Sequence, residues 1–157
     1  MLVWAIRLTY CFVYSVTKIV VYAAAEPSMS GTYLPKPRTE VPEGFKDVCV
    51  ENGGDVEATW VKLNGGGEDG AWYKKESDRS YIYHNALDGS WWIDGPDGLG
   101  VYKGVGPDWA PMGMSTAWTA IDGGCHTPTL ASYRNQGSVS LYRSIPTRGT
   151  AAHFRTT

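Results

Sequence analysis

The chain is poor in cysteine, histidine and phenylalanine, with three of each in 157 residues. Three cysteines cannot build the multi-bridge framework that staples small secreted folds. No G-x-S-x-G, Walker loop, H-E-x-x-H or C-x-x-C is present; Gly113-Met114-Ser115-Thr116-Ala117 approaches the first and lacks its closing glycine. Asn-x-Ser/Thr is absent, so asparagine glycosylation cannot report on secretion. Acids are missing from both ends: residues 1–25 hold only Arg7 and Lys18, and residues 127–157 hold four arginines. Residues 47–126 carry thirteen Asp/Glu against five Lys/Arg, so the net charge of −2 hides three unlike regions. An acidic centre repels phosphate and lacks the basic lining of a single-strand binder, which excludes nucleic acid as the expected partner.

The composition, 43% apolar and 13% aromatic, excludes wholesale disorder and is too polar for a multi-span membrane protein. Residues 1–25 have the outline of a secretory signal peptide: apolar stretches at Leu8–Thr17 and Ile19–Ala25, then Ala23-Ala24-Ala25 as an A-x-A site. Arg7 and Lys18 interrupt it, and Leu8–Ala25 falls short of the about 20 apolar residues of a spanning helix. A cleaved signal places the protein outside the cell or on its surface. The alternatives are an uncleaved membrane anchor, or a buried strand or mis-assigned start, in which case the protein is cytoplasmic. Cleavage removes Cys11 and leaves Cys49 and Cys125, whose disulfide would close a loop worth about 4 kcal/mol of chain entropy. In a reducing compartment the same two residues are unrelated thiols.

Residues 26–46 carry four prolines (27, 35, 37 and 42) with balanced charge and read as an extended linker. Residues 127–157, with ten Ser/Thr and four Arg, read as a basic flexible tail. Between them, residues 47–126 hold six of the seven tryptophans and fifteen of the nineteen glycines. Short β-prone runs alternate there with turn clusters, predicting an all-β domain: a small antiparallel meander or partly closed barrel with irregular termini. The expected strands are Ala58–Leu63, Ala71–Lys75, Ser80–His84, Ser90–Asp94, Gly100–Lys103 and Ala117–Asp122. No amphipathic helix is expected in this region. Alternation puts Tyr81 and Tyr83 on one face and Ile82 and His84 on the other. It likewise sets Trp91 and Ile93 against Trp92 and Asp94, so large rings occupy both faces of the sheet.

Thr59-Trp60-Val61-Lys62, Asp69-Gly70-Ala71-Trp72-Tyr73-Lys74, Tyr81-Ile82-Tyr83 and Asp88-Gly89-Ser90-Trp91-Trp92-Ile93 follow one another in that order. Residues 58–98 thereby resemble a small Trp/Tyr- and Gly-rich repeated β-module. Its pattern runs N-G-x-Y, N-G-x-x-x-Y-x-K, Y-I-Y-Y, D-G-x-W-x-I, and it occurs in large multidomain proteins, often extracellular. The chain departs from it at Ala58-Thr59, Trp60 and Asp69. The resemblance implies a β fold and a binding role, with no catalytic residues.

Of the histidines only His84 falls in an expected strand, and Cys125-His126 supplies two of the four ligands that a structural zinc needs. Asp88, Asp94 and Asp97 flank two turns and are weak calcium candidates; Asp-Gly turns account for them without an ion. A hydrolase using an Asp pair is the remote third reading, and no cofactor is expected. The leading expectation is a non-enzymatic module that binds a protein or glycan ligand. Its expected contacts are the exposed aromatic side chains Trp72, Tyr83 and Trp92, with Asp94 as the flanking carboxylate. The competing class is a structural spacer with every ring in its own core.

Overall fold

The computed structural model describes residues 16–23, 25–67, 70–106, 117–124 and 127–134. In chain order these form β1 (Val16–Tyr22), β2 (Gly31–Pro37), α1 (Glu43–Glu51), α2 (Val56–Asn64), β3 (Ala71–Lys75), β4 (Tyr81–Asn85), β5 (Ser90–Asp94), β6 (Gly100–Val105), β7 (Ala117–Ala120) and β8 (Thr129–Arg134). The strands make one antiparallel sheet, ordered β7-β6-β5-β4-β3-β2-β1-β8 and curled into a half-barrel. The all-β expectation is met.

The centre of the sheet follows from local chemistry. β3 and β5 span the residues expected, and β4 and β6 differ by one or two positions. Their turns close on side-chain oxygens: Asp78, Asn85, Asp88 and Asp97 each accept the N–H two residues on, at 2.8–3.1 Å.

The expected strand at Ala58–Leu63 is instead α2. Asp55 accepts the Ala58 N–H at 2.9 Å as its N-cap, Lys62 lies in the last turn, and Gly65 ends it in the left-handed region with φ 82°. Its covered positions Val56, Thr59, Trp60, Leu63 and Asn64 keep helical spacing. Threonine and asparagine in that stripe make it read as broken in the sequence. The first segment of the module-like pattern therefore lies on a helix.

The expected boundaries also change. Val16–Tyr22, inside the segment read as a leader, pairs with both β2 and β8 and buries Ile19 and Val21 completely. The expected linker at 26–46 supplies a 3₁₀ turn (Pro27–Met29), β2 and the start of α1. The expected tail from 127 supplies β8. Two prolines within β2 are tolerated for a definable reason. The Thr32 carbonyl accepts from Glu76 N–H, so alternation turns the backbone of Tyr33, Pro35 and Pro37 away from β3 toward β1. Pairing with β1 ends at Tyr33, so neither proline removes a ladder donor.

The two faces are as alternation predicts. One carries Ile19, Val21, Tyr33, Tyr73, Ile82, Trp91, Ile93, Tyr102 and Trp118 in one buried cluster. The other carries Trp72, Tyr81 and Tyr83, covered by Trp60 of α2 and by Phe45 of α1. The chain covers its own second aromatic face.

Candidate functional site

The covered face explains where the expected contact residues stand. Trp72 meets Trp60 edge-on at 6.4 Å and Tyr81 at 6.1 Å, and Tyr83 lies 5.5 Å from Trp60. The indole N–H of Trp60 donates to the Arg38 carbonyl at 2.8 Å, and that of Trp72 to the Glu40 carbonyl at 2.7 Å. These bonds tie α2 and β3 to the connection between β2 and α1. Trp72 and Tyr83 are buried beneath the helices, which occupy the surface they were expected to offer, and Asp94 is buried as well, so none of the three is an exposed contact.

Trp92 is different. It is half-buried at the margin of the covered cluster. Its N–H donates to Asp88 Oδ2 at 3.0 Å, and the same oxygen pairs with Lys103 Nζ at 3.0 Å. Lys103 Nζ stands 5.1 Å from the ring centroid, within cation–π range. The register sets Trp92 opposite Lys103 across β5 and β6. Gly100 allows the ring to lie down on the sheet, since a Cβ there would sit 2.8 Å from it. Burial opposes ionisation of Asp88, yet bonds from Lys103, the Ser90 N–H and Trp92 prevail and hold its carboxyl below the ordinary carboxylate range. Exposed Leu87 and Val105 flank this trio. Sequence reading found Trp92 and missed Lys103 and Gly100, although the short β5–β6 hairpin puts both beside it.

Asp94 has another environment. Its Oδ1 and the Tyr81 hydroxyl oxygen are both buried, on residues directly opposite one another across β4 and β5. Burial, with the charge of Asp97, pushes the Asp94 carboxyl up to about 7. The three calcium candidates do not converge. Asp88 precedes β5 and Asp97 follows it, so at about 3.3 Å per residue the strand's length separates them. Among the described residues no group of three or more His, Cys, Asp or Glu side chains is placed to hold a metal ion. Cys49 is a buried, unbridged thiol, and Cys125, its expected disulfide partner, lies outside the described residues. The run Gly65 to Gly70 has G-x-G-x-x-G spacing, but it follows a helix and leads into a strand, the reverse of the order that cradles a dinucleotide phosphate. No protein-family model, curated protein sequence or solved structure matches the chain.

Proposed function

We propose that this chain is a non-enzymatic binding module that contacts a protein through the patch of Trp92, Asp88 and Lys103, flanked by Leu87 and Val105. The observation that carries this reading is the half-exposed indole held in place by a carboxylate of the β4–β5 turn and an ammonium of the neighbouring strand. A fixed aromatic ring costs little entropy on binding and is the commonest kind of interface anchor. The ammonium beside the ring favours a protein over a glycan, since a sugar stacked on that face would have to displace Lys103.

Affinity capture from the host's own extract tests the reading, with immobilised wild-type protein compared with Trp92→Ala and Lys103→Glu. The expected result is a partner retained by wild type and lost by both variants, whose circular dichroism stays native. A captured set that neither substitution alters overturns the assignment. Glycan-array binding that survives Lys103→Ala redirects it to carbohydrate.

The second reading, a structural spacer, is favoured by the burial of Trp60, Trp72, Tyr81 and Tyr83 in one cluster of the chain's own. Acrylamide quenching separates the two. A binding module has an accessible indole that disappears in Trp92→Phe; a spacer shows the same quenching in both proteins.

A further inference from the structure

On the face of β6 opposite Lys103, the start of β6, the end of β7 and the connection after β1 enclose an open cavity of about 310 Å³. Val101, Ala120 and Ile121 are among its apolar lining residues, and Glu26, Tyr102 and Asp122 are its lining residues with polar side-chain groups. No Lys, Arg or His is among the described residues lining it. Neither Glu26 nor Asp122 joins an ion pair among the described residues. Each keeps one carboxylate oxygen uncommitted, since Glu26 Oε1 accepts from the Ser28 hydroxyl and Asp122 Oδ1 from the Gly124 N–H. Tyr102, whose ring is buried in the larger cluster, also lines the cavity. Burial, with the charges of Glu26 and Asp122, raises the Tyr102 pKa, so the hydroxyl stays protonated.

We propose that this cavity binds a primary ammonium group carried on a short aliphatic stem. A primary ammonium has three donors and no acceptor. Glu26, Tyr102 and Asp122 present three acceptor groups from three separate parts of the chain. The stem lies along Val101, Ala120 and Ile121, as amphipathic lysine stems lie on apolar surface. A free amine and a lysine side chain of a protein share this chemistry.

NMR titration of ¹⁵N-labelled full-length protein with n-butylammonium tests the proposal. Saturable shifts are expected at the Gly100 and Gly124 amides, weakening as salt is raised. Glu26→Gln and Asp122→Asn are each expected to weaken binding by about tenfold. Both side chains are exposed, and unchanged resonances elsewhere show that the variants fold. n-Butanol should not bind, and butyltrimethylammonium, lacking donors, should bind more weakly. Nα-acetyl-lysine methylamide that outcompetes butylammonium identifies a lysine side chain as the source, and the reverse order a free amine. Absence of saturation, equal binding of n-butanol, retention in both variants, or tighter displacement by Mg²⁺ or Ca²⁺ each overturns the assignment.

Discussion

Single side chains here take their properties from neighbours that alternation alone does not reveal. Trp91 and Trp92 are adjacent and chemically identical, but one is sealed in the larger cluster and the other lies at an open margin. The carboxylates diverge in the same way. Asp94 ionises against burial, whereas Asp78 and Asp88 overcome burial through hydrogen bonds, chiefly from Lys75 and Lys103 respectively. The pH dependence of stability follows. An unfolded aspartate titrates near about 4, so Asp94, at about 7 when folded, stabilises fully below its unfolded value. That contribution, on the order of 4 kcal/mol at most, is lost as pH rises toward 7. Asp78 and Asp88 act in the opposite sense, stabilising above their unfolded values and losing that contribution as pH falls through their lowered folded values. Urea denaturation from pH 3 to 8 should therefore show greatest stability in mild acid. Asp94→Asn should flatten the decline between pH 4 and 7, and an unchanged profile in that variant would show that Asp94 does not cause it.

At the scale of elements, the contact between α1 and the β5–β6 turn depends on two backbones approaching without side chains. A Cβ on Gly44 would stand 3.0 Å from the Gly98 nitrogen, and one on Gly98 would strike the Gly44 carbonyl. Gly98 also has φ 79°, which L side chains rarely adopt. Gly53 has a similar φ of 68° but nothing within 4 Å of its would-be Cβ, so it isolates the conformational cost. Gly98→Ala should destabilise by about 2–4 kcal/mol and Gly53→Ala by about 1 kcal/mol in chemical denaturation. Equal losses would mean that the close approach is relieved cheaply. The elements legible in the sequence were those bounded by local turn chemistry, as at Asp78, Asn85 and Asp97. α2 was misread because polar Thr59 and Asn64 interrupt its apolar stripe, although Asp55 and Gly65 mark its ends.

For the whole molecule, the main consequence is that the sheet recruits both ends of the described chain. β1 lies between β2 and β8, and its partners are separated by some hundred residues. Such long-range pairing carries a high loop-closure cost and leaves no turn signal beside either strand. Removal of residues 1–25 would take away β1, leave β8 without its neighbour and open the cluster around Ile19 and Val21. Intact mass of the purified folded protein should therefore include Val16–Tyr22. A mature chain that begins at Glu26 and still unfolds cooperatively would show that the sheet does not need β1.

By itself the sequence determined the β character of the centre, the positions of its hairpins and the presence of large rings on both faces. These depend on alternation and on turn residues within a few positions of one another. Only the tertiary structure decided which rings are available. Whether Trp72, Tyr83 and Trp92 meet solvent depends on where α1 and α2 dock, and that docking joins residues far apart in the chain. The candidate ammonium site is tertiary for the same reason: four strands lie between β1 and β6 in the sheet, and Glu26, Tyr102 and Asp122 line one cavity only because the sheet curls.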